Sequence, residues 1–285
     1  MYNNFEVIII RKFVSYLLII VILLSSTVLA APVFKVGEYI LPVDVCINGQ
    51  IIKCPQKAFI SDGATFVPIR ALTDALSLEL YWDSSNNSAA ISTIKIFADD
   101  GTITVNGQKE YNHKAILQND TLFIPLRFVS EQFGLKVSWD DFYFIAEIDA
   151  PAVIVPEACI DYSYNKEDFL WLSRITHIES NSQPLNTQIG VANTVVNRKN
   201  SPKYPNTIKG AILDTNYGVQ YPPAHTDKIN VTPSYLSRVA AKCALNGINT
   251  VGNCMFFVPT SQTASSWVAN NKTHFVTIGA LAFYY

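Results

Sequence analysis

Residues 165–180 read NKEDFLWLSRITHIES, and this stretch decides the fold of the C-terminal half of the chain. Asn165 can cap a helix, and Glu167 and Asp168 then occupy the first turn, where the helix dipole favours acidic side chains. At about 100° per residue, one face of that helix collects Phe169, Leu172, Ile175 and Thr176. The spacing therefore predicts an amphipathic helix over this stretch.

Glu179 is the most informative residue of this helix, because it follows Ile175 by four residues and Leu172 by seven and so falls on the apolar face. A carboxylate among apolar side chains is costly to ionise, so its pKa is expected to rise. A carboxyl that keeps its proton near neutral pH can act as the general acid in glycoside cleavage. On helix geometry alone, Glu179 can equally reach solvent at a frayed helix end or cap a neighbour.

The chain continues as further helices. Asn186 opens a second helix, which ends near residues 199–202 and whose apolar stripe is Ile189, Ala192, Val195 and Val196. A third, short helix is expected after Thr207. The C-terminal half is therefore predicted to be mainly helical.

Several motifs of this half closely resemble the SleB-type cell wall hydrolase family, which includes enzymes of the spore cortex-lytic type. In order they are SRITHIE (173–179), QP (183–184), QIGVANTVVNR (188–198) and SPKYPNTI (201–208). The resemblance continues through Gln220-Tyr221 and MFF (255–257) and covers residues 165–285. It implies a lysozyme-like, mainly helical α+β domain that cuts the glycan of peptidoglycan, typically as a lytic transglycosylase.

The resemblance also implies a set of site residues. Glu179 matches the family's catalytic glutamate, which would protonate the leaving oxygen and then accept the muramic 6-hydroxyl proton. Gln220 and Tyr221 match a Gln-aromatic element of the cleft, and the candidate stacking surfaces are Tyr217, Phe257 and Tyr284. Each of these aromatic residues has core packing as its alternative role.

This sequence departs from the family pattern in three places. The residues after Glu179 are Ser-Asn-Ser-Gln-Pro (180–184) in place of the usual Ala-Arg-Gly-Glu-Pro. Val258-Pro259 stands where the late strand usually ends in Asn-Pro, and the usual C-terminal His is replaced within 278–283. These changes keep open a second hypothesis, a catalytically degenerate protein that binds envelope glycan without cutting it.

The N-terminal half contains an internal repeat. Phe66-Val67-Pro68-Ile69-Arg70 recurs 57 residues later as Phe123-Ile124-Pro125-Leu126-Arg127, and Trp82-Asp83 recurs as Trp139-Asp140. Each copy is predicted to contain an Asn-Gly hairpin, a short helix (71–77; 128–134) and a strand carrying Trp. The repeated Arg and Trp are interpreted as packing residues, with ligand contacts as the alternative.

This VPxR, helix and VxWD pattern resembles the copper amine oxidase N-terminal-like (stalk) domain over residues 35–150. The name implies no copper, because a copper site needs clustered imidazoles and His113 is the only histidine of this half. Residues 151–164 are predicted to be an extended linker. The fold class is therefore α+β throughout, with a repeat-built α+β module before the helical domain.

Residues 1–30 have the basic, apolar, small-residue order of a signal peptide, with an uncleaved membrane anchor as the alternative. Either reading predicts a protein secreted to or held at the cell envelope, and a spore location is compatible with both. The cysteines are interpreted as two disulfides (Cys46–Cys54 and Cys243–Cys254, leaving Cys159) or as buried free thiols. Peptidoglycan is the expected partner.

The remaining features exclude other classes of protein. A formal net charge of −2 at pH 7 gives no electrostatic argument for nucleic acid. No Cys/His spacing predicts a metal, and no motif predicts a cofactor. The oligomeric state has no signal in the sequence.

Overall fold

The computed structural model describes residues 35–216 and 218–285. The predicted signal peptide and Tyr217 lie outside these described residues. Val33–Tyr285 form one compact unit that contains both helices and sheets, so the predicted α+β class is confirmed. None of the helices among the described residues is both long enough and apolar enough to cross a bilayer.

The module contains fifteen strands and two short helices in the described chain. The strands are β1 Lys35–Val36, β2 Tyr39–Ile40, β3 Asp44–Ile47, β4 Gln50–Ile51, β5 Phe59–Ser61, β6 Ala64–Pro68, β7 Tyr81–Asp83, β8 Ser88–Ile91, β9 Ile94–Phe97, β10 Ile103–Val105, β11 Gln108–Glu110, β12 Ile116–Gln118, β13 Thr121–Pro125, β14 Lys136–Asp140 and β15 Ile145–Asp149. The helices are α1 Ile69–Ala75 and α2 Leu126–Gln132.

The C-terminal domain contains five helices and three strands. The helices are α3 Lys166–Ser180, α4 Leu185–Asn200, α5 Ile208–Leu213, α6 Tyr235–Leu245 and α7 Trp267–Asn271. The strands are β16 Phe256–Pro259, β17 His274–Ile278 and β18 Leu281–Tyr284. Short 3-10 turns lie at Glu157–Cys159, Pro222–His225, Asp227–Asn230 and Thr260–Ser265.

The two copies of the repeat meet symmetrically. β6 pairs antiparallel with β13, and in that register Val67 faces Ile124, its equivalent in the other copy. Phe66 then faces Pro125 just as Pro68 faces Phe123. The pairing therefore places a local pseudo-two-fold axis at the centre of the sheet β12-β13-β6-β5.

The predicted local structure of each copy is present. The hairpins β3–β4 and β10–β11 turn at Asn48-Gly49 and Asn106-Gly107, and all four turn residues have positive φ, as a type I′ turn needs. The helices α1 and α2 begin two residues earlier than predicted, directly after Pro68 and Pro125. Proline cannot donate a backbone hydrogen bond, which suits the last position before a helix.

Three long helices form the core of the C-terminal domain. α3 packs against α4 and α6, and its buried side chains include Phe169, Leu172 and Ile175, as predicted. The antiparallel sheet β16-β18-β17 follows these helices in the chain and packs against α4. Phe283 of β18 fills a space beside Gly190 of α4, where an added Cβ would lie 2.8 Å from the ring.

The module and the helical domain share buried contacts. Leu41 and Phe144 of the module lie in the hydrophobic cluster of the helices. Lys242 of α6 donates to Asp44 Oδ2 at 2.5 Å and to the Tyr143 carbonyl at 2.9 Å, and Tyr164 also donates to Asp44 at 2.5 Å. The predicted domain boundaries stay a prediction, since the described residues pack as one unit.

The predicted linker runs along the module. Ile160 forms a bridge with Ile52, and the Asn48 side chain is hydrogen-bonded to both backbone groups of Ala150. The five cysteines are all free, and four of them are buried. Of the two interpretations of the cysteines, the structure has the free thiols.

Candidate active site

Glu179 lies on the last turn of α3, and the start of that helix is firmly fixed. The Asn165 side chain accepts from the Asp168 amide at 2.9 Å, and the Asp168 side chain accepts from the Asn165 amide at 3.3 Å, forming a capping box. Because the cap fixes where the helix begins, Glu179 lies on the same face as Leu172 and Ile175. Its side chain is half-buried at the edge of the hydrophobic core. The predicted placement on the apolar face is therefore present.

The surroundings of Glu179 change its acidity. Loss of hydration on burial raises the pKa of Glu179 to about 7, and no neighbouring charge contributes to the shift. Within residues 35–216 and 218–285, Glu179 forms no hydrogen bond and no ion pair. Among the carboxyl groups of this part of the chain whose pKa is shifted, Glu179 alone is raised; the lowered ones are Asp83, Asp100, Glu110 and Asp161.

The loop after Glu179 is held from two sides. Gln188 of α4, which is fully buried, donates to the carbonyl of Gln183 at 2.8 Å and accepts from Ser237 Oγ of α6 at 2.8 Å. Gln183 in turn accepts from the Ala280 amide at 3.0 Å, which ties the loop to the turn between β17 and β18. The loop therefore fixes the end of α3, although its sequence departs from the family pattern.

His177 has a structural position between α3 and α6. Its Nδ1 accepts from the amide of Ser234, the N-cap residue of α6, at 3.2 Å. Burial lowers the pKa of His177, which favours the neutral ring that this hydrogen bond needs. His177 therefore orients α6 against α3.

Asn197 and Arg198 tie the end of α4 to the strand region. Asn197 donates to the carbonyls of Gly252 and Cys254 at 2.7 and 2.8 Å. Arg198 is 2% exposed, and it donates to the Met255 carbonyl at 2.7 Å and to Gln220 Oε1 at 2.8 Å. Both residues therefore end α4 and hold the loop before β16.

Gln220 is the predicted sugar-binding residue with an open setting. Held by Arg198, it lines a cavity of about 500 Å³ together with Tyr204, Trp267 and Lys272. The amide nitrogen of Gln220 forms no hydrogen bond with the described residues, so it is free to donate to a ligand. No sequence pattern singled out Trp267 or Lys272, because they approach Gln220 only through the packing of α7.

The aromatic residues predicted to contact sugar differ in how far they are exposed to solvent. Tyr221 is 1% exposed beneath Arg198, and Tyr284 is 4% exposed in the terminal sheet. Both rings therefore pack in this structure, and stacking on a sugar would require the surrounding strands and helices to open. Phe257 is half-buried with its ring 6.4 Å from that of Tyr221. Tyr217 lies outside the described residues.

A metal centre has no donor set in the part of the chain that the structure describes. No three side chains of His, Cys, Asp or Glu lie close enough together there to hold an ion. Burial raises the pKa of the Cys243 thiol to about 12 and that of Cys254 to about 11, so neither is an activated nucleophile. The chemistry available to the described residues near Glu179 is proton transfer.

Comparison with known families gives two matches. Residues 46–142 match the copper amine oxidase N-terminal domain, and residues 182–284 match the cell wall hydrolase family. Glu179 lies just before the second matched range.

Curated relatives match the C-terminal half of the chain. A spore cortex-lytic enzyme of Bacillus cereus is 26% identical over 105 residues, which cover 37% of this chain and 39% of the relative. The spore cortex-lytic enzyme of Oceanobacillus iheyensis is 25% identical over 118 residues, 41% of this chain and 40% of the relative. The chain thus spans about two fifths of the length of these relatives.

One of the similar solved structures is the catalytic domain of the germination-specific lytic transglycosylase SleB from Bacillus anthracis. It is 25% identical, with a TM-score of 0.40, and the match covers 44% of this chain and all of that domain. The family matches on the two halves are separate and fall in the order predicted from the motifs. The chain is therefore similar to the copper amine oxidase N-terminal domain in its N-terminal half and to the cell wall hydrolase family in its C-terminal half.

Proposed function

We propose that the C-terminal domain cleaves the glycan strand of peptidoglycan as a lytic transglycosylase, with Glu179 as its acid and base. The observation that carries this proposal is the half-buried Glu179 carboxyl, whose pKa is raised to about 7 by lost hydration alone. The relatives of this domain are named spore cortex-lytic enzymes, which makes cortex peptidoglycan the first substrate to test. Action on this substrate requires an extracytoplasmic location, as the predicted signal peptide would provide.

The mechanism needs one carboxyl that changes role. Protonated Glu179 gives its proton to the oxygen of the glycosidic bond as the bond to the muramic anomeric carbon breaks. The resulting carboxylate then accepts the proton of the muramic 6-hydroxyl, whose oxygen bonds to the same carbon and closes an anhydro ring. Since the nucleophile belongs to the substrate, no second carboxylate and no water are needed. This fits a pKa for Glu179 that no neighbouring carboxylate perturbs.

The experiment is digestion of purified cortex and vegetative peptidoglycan by the full chain, with mass spectrometry of the soluble products. We expect anhydromuropeptides from the parent and a loss of at least about a hundredfold in rate for Glu179→Gln. Glu167→Gln is the matched control, because Glu167 lies on the same helix and is exposed. Products with reducing ends would show that the domain is a muramidase and not a transglycosylase. Cleavage by Glu179→Gln would contradict the role of Glu179.

A second candidate function is glycan binding without cleavage. It is favoured by the loop at 180–184, where Gln183 stands in place of an acidic residue and uses its side chain to bind the Ala280 amide. Binding to peptidoglycan without products, by parent and Glu179→Gln alike, would establish this alternative and exclude the enzyme.

A further inference from the structure

The module has two cavities at equivalent places in its two copies. The first, of about 620 Å³, is lined by Arg70 and Trp82, and the second, of about 420 Å³, by Arg127 and Trp139. In both cavities the Pro before the helix and an acidic residue on the helix also line the wall. Because every one of these positions is repeated at the same spacing of 57 residues, the two cavities are two versions of one site.

Each cavity is built from both copies. The first combines the helix and Trp strand of copy one with the hairpin β12–β13 of copy two, and the second combines the equivalent parts the other way round. The pseudo-two-fold pairing of β6 with β13 brings each hairpin across to the other copy's helix. A single copy cannot form either cavity, which gives a physical reason for the repeat.

The repeated Trp and Arg do not lie in the interior of the module. Trp82 is 49% exposed and Trp139 is 37% exposed, and both arginines are exposed as well. Within the described chain neither indole has an aromatic or cationic partner on its faces. Burial in a core therefore does not account for the two tryptophans, and the alternative of ligand contacts gains support.

The chemistry of the walls limits the ligand. An indole offers a flat apolar face, and the adjacent charges nearly balance: Arg70 and Lys53 against Asp74 and Asp120 in the first cavity. In the second cavity Arg127 lies 3.9 Å from Glu131, and Asp141 adds a second carboxylate. Neither cavity has an excess of cations, which disfavours nucleic acid and polyphosphate as ligands. A saccharide fits, because its ring has C–H faces for the indole and hydroxyl and amide groups for the charged side chains.

We propose that the module holds two equivalent saccharide-binding sites, one centred on Trp82 and Arg70 and the other on Trp139 and Arg127, that bind the glycan of the cell wall. The choice of wall glycan rests on the proposed function of the C-terminal domain in the same chain. Two sites on one rigid module bind a repeating polymer with avidity, since the second contact is intramolecular. The module thereby keeps the cleaving domain at its polymer.

The two sites differ in how far the arginine is already engaged by the protein, and this difference predicts which site binds saccharide more tightly. Arg127 already donates to the Val137 carbonyl at 2.5 Å and pairs with Glu131. The Arg70 carbonyl accepts from Thr73 Oγ1 at 3.2 Å, but the Arg70 guanidinium forms no hydrogen bond or ion pair with the described residues, so it is available to a ligand. We expect the first site to bind more tightly than the second.

The test uses the full chain carrying Glu179→Gln, so that binding is measured without cleavage. The probes are N-acetylglucosamine tetramer, followed by tryptophan fluorescence, and purified peptidoglycan sacculi in a sedimentation assay. Trp82→Ala is expected to weaken sedimentation on the order of tenfold, and Trp82→Ala with Trp139→Ala on the order of a hundredfold. Tyr81→Ala is the matched control, because Tyr81 is 76% exposed on the opposite face of the same strand and lines neither cavity.

Two outcomes overturn the proposal. One is unchanged sedimentation of the double variant, and the other is an equal loss of sedimentation in Tyr81→Ala. Thermal melting of each variant separates lost binding from lost folding. If the parent cuts no glycan but binds it through the two tryptophans, the proposed catalytic function fails and the binding sites stand.

Discussion

Two carboxyl groups in this protein, the buried Asp44 and the half-buried Glu179, have opposite surroundings. Asp44, at the junction of the module and α6, accepts hydrogen bonds from Lys242 and Tyr164, both at 2.5 Å. Glu179, at the end of α3, has no such partner within the described chain, and burial raises its pKa to about 7. A cation beside a buried carboxyl group offsets the cost of its charge, whereas a carboxyl group without such a partner holds its proton more tightly. The partner, more than the depth of burial, decides the role.

The largest expected effect comes from removing the partner of Asp44. Lys242→Met leaves a buried, uncompensated carboxylate and is expected to lower the free energy of unfolding by about 3–5 kcal/mol, measured by urea denaturation. Lys209→Met is the control, because Lys209 forms an exposed pair with Glu167 at 3.4 Å and should cost less than about 1 kcal/mol. Adding Asp44→Asn to Lys242→Met should recover most of the loss. Similar costs for both lysines would remove the contrast between the two carboxyl groups.

A second prediction concerns the cost of ionising Glu179. The pKa of Glu179 is about 7 in the folded protein, above the ordinary value of 4.5. The contribution of Glu179 to the free energy of unfolding is therefore fully present below pH 4.5 and is lost as the pH rises through about 7. Glu179→Gln cannot ionise and should therefore be more stable than the parent by about 3 kcal/mol at pH 8.5, with little difference at pH 4. Urea denaturation at both pH values measures this. A constant difference between parent and variant would mean that Glu179 titrates normally.

The smallest effect concerns the pH profile of the proposed cleavage. If protonated Glu179 is the acid, kcat/KM should fall about tenfold for each pH unit above about 7. The rate of product release at constant ionic strength between pH 5 and 9 gives the profile. A rate that stays level to pH 9 would show that another group supplies the proton.

The local elements of this fold were readable from the sequence because short-range rules determine them. The capping box at Asn165, the Asn-Gly turns and the prolines before α1 and α2 each act within a few residues. The helix register then places Glu179 on the apolar face of α3 by spacing alone. Spacing and the family resemblance together named the candidate acid, whereas its burial, which spacing alone left open, depends on the tertiary structure.

Other parts of the site depend on contacts between residues far apart in the chain. Gln188 reaches Ser237, and Arg198 reaches Gln220, through the packing of helices and strands that no spacing rule predicts. The sequence makes Tyr221 a candidate for the sugar cleft and Tyr284 a candidate stacking surface, but the packing buries both. Exposure of an aromatic side chain is a property of the assembled core and has no local signature.

The sequence by itself thus determined the α+β class, the repeat, the helix that carries Glu179 and the family resemblance of each half, because periodicity, caps and motifs are local. Only the tertiary structure decided three other matters. It gave Asp44 the cation that Glu179 lacks, and it left Trp82 and Trp139 exposed in equivalent cavities. It also joined the module to the helical domain through a buried network. Each of these depends on which distant side chains share a space, and that is set when the elements pack.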